Sequence, residues 1–158
     1  MRVDQIMTKQ VSSCSPDNSL AEAAQLMWDH DCGCLPVCAG NGASRVAGVI
    51  TDRDICMSAL FKGKPLYELR VADAMSRQLH SCRPADSLAD AEKWMRQARI
   101  RRLPVLDEQG SLIGLLSLAD LAREAARQDT APKQEITESE VGDTLASICQ
   151  PGAQQLAA

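Results

Sequence analysis

A chain of 158 residues, 45% hydrophobic and 24% charged, is long enough to bury a true core, about two-thirds of its unfolded surface. Its net charge of −4 and aromatic content of 3% argue against a nucleic-acid partner, which asks for basic residues and stacking rings. No apolar run approaches the roughly 20 residues that cross a bilayer. Met1-Arg2-Val3-Asp4 lacks a secretory pattern, so no membrane partner and a cytoplasmic location are expected. Seven cysteines, an odd number in a compartment expected to be reducing, do not read as a disulfide framework.

The sequence repeats itself. A shift of 68 places Val3 on Val71, Met7 on Met75, Cys14 on Cys82, Pro16 on Pro84, Met27 on Met95 and Leu35-Pro36-Val37 on Leu103-Pro104-Val105. Residues 3–38 and 71–106 align without a gap, with 14 identities in 36 pairs. The register then slips to 66, Gly48 on Gly114, because the first copy has two more residues in its loop around Asn41-Gly42. That pair is a hairpin signal.

Each copy reads, in chain order, as a helical turn, a strand, a helix, two strands and a second helix. A helix opening at Ser19 places Leu20, Ala23, Ala24 and Met27 on one face, and one opening at Ser87 does so with Leu88, Ala91, Met95 and Ala98. Ser19-x-x-Glu22 and Ser87-x-x-Asp90 are capping patterns. Strands follow at Cys34–Cys38 and Arg102–Leu106, with hairpin partners at Val46–Thr51 and Leu112–Ser117. The closing helices are expected to bury Ile55, Cys56, Ala59 and Leu60, and Leu118, Leu121, Ala122 and Ala125. Trp28 and Trp94 are expected in the core or on a dimer helix. The organisation is then a first motif over 1–62, a connector over 63–70, a second motif over 71–127 and a polar tail over 128–158. A last helix runs from Thr137-x-x-Glu140 through Ile148 and stops at Pro151-Gly152, with loose residues after it. Copies of roughly 60 residues are marginal alone, so the two are expected to pack face to face about a pseudo-twofold axis.

The chemistry concentrates where a short aliphatic strand runs into an acidic helix start, at Gly48-Val49-Ile50-Thr51-Asp52-Arg53-Asp54-Ile55 and at Gly114-Leu115-Leu116-Ser117-Leu118-Ala119-Asp120-Leu121. Free N–H groups at a helix start favour an anion, and a carboxylate accepts two hydrogen bonds from a vicinal diol. The phosphate and ribose of a nucleotide fit that description. Thr51-x-x-Asp54 and Ser117-x-x-Asp120 are equally capping boxes that satisfy the helix's own donors. Cys32, Cys34 and Cys38 with His30 suit zinc by ligand type, but their spacing is not that of a common zinc knuckle. The preferred reading is no metal, with Cys38 as a small core residue and Cys14 and Cys82 as buried thiols. A Walker loop, a Gly-x-Gly-x-x-Gly and a nucleophile elbow are all absent from the sequence, so no catalytic residues are expected and an enzyme is the least favoured class.

The Met7-Thr8 and Met75-Ser76 leads, the two Leu-Pro-Val strands and the two Gly-h-h-Thr/Ser-x-x-Asp junctions (h, an aliphatic residue) resemble the tandem cystathionine-β-synthase (CBS) domain pair, or Bateman module, over residues 1–127. In size, and in its Thr51–Ile55 and Arg101–Val105 strings, the chain looks like the bacterial proteins that consist of a lone CBS pair. The resemblance implies an α/β (α+β) fold of two β-α-β-β-α units and a homodimer forming a flat disc of four motifs. It also implies a non-enzymatic sensor. Such a module binds AMP or ATP, or in some members S-adenosylmethionine or NAD, in clefts between motifs, and responds by a shift between conformations. On this resemblance Thr51, Asp54, Ser117 and Asp120 hold ribose or phosphate, and Arg53, Arg101 and Arg102 meet phosphate. Gly33 and Cys34 stand where the second copy has Arg101 and Arg102, so one good anion site and one weak or empty site are expected. The alternatives are an unliganded dimeric scaffold or stress-related protein, and a cysteine-based redox or metal sensor. The acidic tail from Glu135 to Glu140 and the last helix read as a solvated terminus in preference to a contact for an unknown protein partner.

Overall fold

The computed structural model describes residues 1–40, 45–128 and 134–150. The Asn41-Gly42 signal and the stop at Pro151-Gly152 lie outside these residues. The first copy holds α1 (Leu20–Asp29), β1 (Cys34–Ala39), β2 (Arg45–Thr51) and α2 (Asp52–Lys62). The second holds α3 (Leu88–Ala98), β3 (Arg102–Leu106), β4 (Leu112–Ser117) and α4 (Leu118–Gln128), followed by α5 (Glu138–Ile148). A 3-10 turn leads each copy, at Val3–Gln5 and Val71–Asp73.

β1 and β2 form one two-stranded sheet and β3 and β4 another. In the first, antiparallel pairing sets Cys34 opposite Thr51 and Val37 opposite Gly48, with a register shift between Val37 and Cys38. The strand expected between the leading turn and the first helix of each copy is reduced to a single parallel bridge, Cys14 to Val37 in the first copy and Cys82 to Val105 in the second. Cys14 donates its N–H to the Pro36 carbonyl and accepts from the Cys38 N–H, at 3.1 and 2.8 Å. Pro16 and Pro84, two residues on, have no N–H to continue the ladder.

The helix starts follow the expected chemistry. The Ser19, Thr51 and Thr137 side chains each accept the backbone N–H three residues on, while the acid at that position accepts the cap's own N–H. Such a cap contributes about 1 kcal/mol. α2 ends on Gly63 at φ 59°, the left-handed conformation glycine adopts without a steric penalty.

The chain divides into two compact units, and each unit takes in the lead of the other copy. One comprises Met1–Lys9, His80–Leu106 and Ile113–Ala158; the other comprises Gln10–Leu79 and Asp107–Leu112. In the first, Val3 is fully buried with Leu88, Met95, Leu103, Val105, Leu116 and Leu121, and its N–H donates to the Asp86 carbonyl at 2.9 Å. In the other, Val71 and Leu69 are buried with Leu20, Met27, Leu35, Ile50 and Ile55. There the Leu20 N–H donates to the Leu69 carbonyl at 2.8 Å and the Val71 N–H to the Asn18 carbonyl at 2.9 Å. An N-terminal segment thus supplies core that a single copy of about 60 residues lacks.

Several burial expectations do not hold. Leu60 is 69% exposed, Cys56 and Ala122 are exposed, and Ala59 and Ala98 are only half-buried; Trp28, expected in the core or on a dimer helix, is 84% exposed and so not in the core. α2 fully buries a single residue, Ile55; Met57 and Ala59 are half-buried, and Cys56, Leu60 and Phe61 are exposed. The last helix is also more than a solvated terminus. α5 packs on α3 and α4, with Ile136 and Thr144 buried and Val141 and Ile148 packed against the core. Thr144 donates its hydroxyl to buried Glu92 and accepts from Arg96 Nη2 at 2.9 Å, while Arg96 Nη2 also donates to Glu92 at 2.8 Å.

Candidate functional site

Both strand-to-helix junctions are built as the repeat requires, one in each compact unit. At the first, the Thr51 hydroxyl and N–H both donate to Asp54 Oδ2, at 2.7 and 2.9 Å, and the Asp54 N–H donates to Thr51 Oγ1 at 3.2 Å. At the second, the Ser117 hydroxyl and N–H donate to Asp120 Oδ2 at 2.6 and 2.8 Å, and the Asp120 N–H returns to Ser117 Oγ at 3.2 Å. The capping reading is therefore realised at both junctions. It uses one carboxylate oxygen and leaves the other for further work.

That second oxygen differs between the copies. Asp120 Oδ1 pairs with the Arg123 guanidinium one turn on. In the first copy Met57 occupies the place of Arg123, and Asp54 Oδ1 has no hydrogen-bond or ion-pair partner among the described residues. Asp120 is buried, and its partner Arg123 is 69% exposed. An exposed arm of this kind stabilises a pair by at most about 1 kcal/mol, so another group can displace it at little cost.

The cations are also unequally placed. The Arg101 carbonyl accepts the Leu118 N–H at 2.9 Å, which fixes Arg101 and the following Arg102 beside the Ser117 helix start. Arg101 is exposed and Arg102 half-buried, and neither guanidinium forms an ion pair among the described residues. In the first copy the corresponding carbonyl is that of Gly33, which accepts the Asp52 N–H at 3.2 Å. A Cβ on Gly33 would lie 2.8 Å from Asp52 Oδ2. This junction is accordingly acidic, with Asp52 and Asp54 beside Arg53, whose guanidinium forms no ion pair among the described residues.

Motif reasoning passed over a further contributor. Thr8 of the first lead pairs with Leu115, and Ser76 of the second lead pairs with Val49, each strand residue lying two before its junction's hydroxyl residue. Gly48 and Gly114 permit this approach. A Cβ on Gly48 would meet the Ser76 carbonyl oxygen at 2.3 Å, and one on Gly114 would meet Met7 Sδ at 2.6 Å and the Thr8 carbonyl oxygen at 3.1 Å. The signal lay in the repeat, since both leads and both glycines recur. Arg123 was legible too, as an Asp-x-x-Arg pair on one helix face.

Among the described residues no group of three or more His, Cys, Asp and Glu is placed to hold a metal ion. His30 is exposed, Cys34 is buried and Cys32 and Cys38 are half-buried. Burial first, and then the neighbouring Cys38, pushes the Cys14 thiol up to about 11. Burial, aided by Asp86, takes Cys82 to about 12. Both are protonated, unreactive thiols at neutral pH. No helix among the described residues is long and apolar enough to cross a membrane.

Comparison with known proteins agrees with this architecture. The chain is 41% identical over 120 residues to the CBS domain-containing protein YhcV of Bacillus subtilis, covering 76% of this chain and 82% of YhcV. Among solved structures, CBSX2 in complex with AMP matches at 28% identity with a TM-score of 0.68, covering 80% of this chain and 96% of that one. Hypoxic Response Protein I with two coordinated zinc ions matches at 30% identity and a TM-score of 0.70, covering 78% and 98%. The protein of that name from Mycobacterium tuberculosis is 30% identical over 118 residues. The CBS domain family matches twice, over residues 3–60 and 71–127, and the chain belongs to that family as a tandem pair.

Proposed function

We propose that the chain is a non-enzymatic ligand-sensing module that binds a phosphorylated adenosyl compound of the AMP or ATP type at the Ser117–Asp120 junction. The observation that carries this reading is the pair of guanidiniums, Arg101 and Arg102, that form no ion pair among the described residues while tied to the start of α4 by the Arg101 carbonyl. Guanidinium forks match phosphate oxygens, and a helix start adds its own attraction for an anion. Asp120 Oδ1 receives the ribose diol once Arg123 swings away, and the freed Arg123 becomes a third cation for the phosphate. The structure of CBSX2 with AMP supports the choice of ligand class.

The Thr51–Asp54 junction, with Asp52 beside it and Gly33 in place of an arginine, is the weaker site for a phosphate and the better one for a ribose alone. Ligand acts by population shift, favouring whichever arrangement of the pair it binds more tightly. Titration calorimetry with AMP, ADP, ATP, NAD and S-adenosylmethionine tests the reading. Binding of a phosphorylated adenosine that Asp120→Ala abolishes and Asp54→Ala spares is the expected result. Binding by none of the five, or binding indifferent to Asp120, overturns it.

A further inference from the structure

A pocket of about 560 Å³ opens between α1 and α2 of the first copy, within one compact unit. Ala24, Met27, Ile55 and Leu66 give it an apolar lining, to which Trp28 adds an exposed indole. Among the described residues its charged lining groups are Asp31 and Asp52, and no Lys, Arg or His joins them. The turn after α1 sets Asp31 in place. Its N–H donates to the Trp28 carbonyl at 3.3 Å, and the Cys32 N–H donates to the Met27 carbonyl at 2.9 Å. Asp52 is tied to the same turn, its N–H donating to the Gly33 carbonyl at 3.2 Å. Neither carboxylate forms an ion pair among the described residues; Asp52 Oδ1 accepts the Arg53 backbone N–H at 2.7 Å.

The second copy differs at the same place. At the repeat shifts of 68 and 66, Trp28, Asp31 and Gly33 give way to Arg96, Arg99 and Arg101, and Asp52 to Leu118. The chain itself fills that place. α5 packs on α3 and α4, and Ile136 is fully buried in the cluster that holds Met95 and Leu121. Met95 and Leu121 are the counterparts of Met27 and Ile55. The framework therefore accepts an aliphatic group against these two helices, and the first copy offers the same cradle with the charge inverted.

We propose that this pocket binds an organic cation, a small apolar body that carries an ammonium group. The body lies on the apolar lining, and the ammonium is shared by the two carboxylates and the face of the Trp28 ring, which attracts a cation. α1 ends beside the pocket at Asp29, and the carbonyl end of a helix favours positive charge. The volume suits a small molecule. A phosphorylated adenosine has the wrong charge for this pocket, so its ligand is not that of the Ser117–Asp120 junction.

Phenethylammonium tests this on the full chain, beside the neutral phenethyl alcohol and the anionic phenylacetate of similar shape. Proton–nitrogen NMR follows the indole N–H of Trp28, assigned by its absence in Trp28→Phe. The expected result is a saturable shift with phenethylammonium at a Kd of about 1 mM. Phenethyl alcohol should bind at least ~5-fold more weakly and phenylacetate not at all. Asp31→Asn and Asp52→Asn should each weaken the cation by about 3-fold, the size of an exposed ion pair. Glu138→Gln, which changes the net charge equally at an exposed position of α5, should leave it unchanged. Circular dichroism establishes that each variant is folded. Absence of a saturable shift up to ~20 mM overturns the proposal. So does equal affinity for the alcohol, or binding indifferent to both Asp31→Asn and Asp52→Asn.

Discussion

Replacing Gly48 by alanine puts a number on the docking of the second lead onto β2. The new Cβ would stand 2.3 Å from the Ser76 carbonyl oxygen and 3.2 Å from its carbon, both backbone atoms that no rotamer change can move. The lead must retreat by about 1 Å to restore an ordinary contact of roughly 3.4 Å. That retreat breaks the two hydrogen bonds joining it to the strand, Val49 N–H to Ser76 at 3.0 Å and Ser76 N–H to Val49 at 2.9 Å. Two such bonds contribute about 1–3 kcal/mol together, and residual overpacking adds about 1 kcal/mol. A loss of about 3 kcal/mol corresponds to about 6–12 °C in Tm for a chain of this length. Gly114→Ala is the internal control. Its Cβ meets Sδ and Cγ of the flexible Met7 side chain at 2.6 and 3.2 Å and the Thr8 carbonyl oxygen only at 3.1 Å, so side-chain movement relieves most of the clash and it costs about 1 kcal/mol. Scanning calorimetry of both variants reads the difference directly. Equal losses, or a Gly48→Ala protein as stable as wild type, would refute the assigned role of the leads.

Four further outcomes concern the site, the helix that closes the second copy and the cysteines. Arg101→Ala and Arg102→Ala each remove a charge-assisted hydrogen bond worth about 1.5–3 kcal/mol; calorimetry should find AMP bound at least ~10-fold more weakly, with Arg53→Ala unaffected. Thr144→Val strips the buried Glu92 carboxylate of its hydroxyl donor and is expected to lower stability by about 1–3 kcal/mol, read in urea. A thiol reagent at pH 8 should modify exposed Cys56 and Cys149 quickly and leave Cys14 and Cys82 intact until the chain unfolds. In pH titration, unfolded thiols ionise near 9.0 whereas folded Cys14 and Cys82 ionise near 11 and 12. Their contribution to stability is therefore complete below about pH 9 and is lost as pH rises towards 11–12. Thermal melts between pH 7 and 11 that show no such decline would contradict this.

The repeat, the caps and the strand bounds were legible because each is local. Ser19, Thr51 and Ser117 advertise their helix starts within four residues, and the Leu-Pro-Val strands recur in register. What escaped was decided between distant segments. No periodicity places Val3 in the core of the second copy's unit or Val71 in that of the first. Apolar spacing buried Leu60 and Cys56 on paper, but α2 has only one covered stripe, through Ile55, and its neighbours are left outside. The weight of α5 was hidden for a related reason, since a lone Thr144 in a helix gives no sign that Glu92 and Arg96 await it 52 and 48 residues earlier. The two junctions were legible by motif, and their inequality was legible in Gly33 and Cys34 standing where the second copy has Arg101 and Arg102; the exchange of Met57 for Arg123 adds a second difference.

Thermal stability against AMP, with Asp120→Ala and Asp54→Ala alongside, discriminates the proposed Ser117–Asp120 site for a phosphorylated adenosine from the Thr51–Asp54 junction. Ligand at 100 times its Kd should stabilise by about 2.7 kcal/mol, a rise of about 5–10 °C. That rise is expected for the wild type and for Asp54→Ala, and its loss for Asp120→Ala. A rise that survives in Asp120→Ala and vanishes in Asp54→Ala, or no rise with any adenosyl compound, would contradict it.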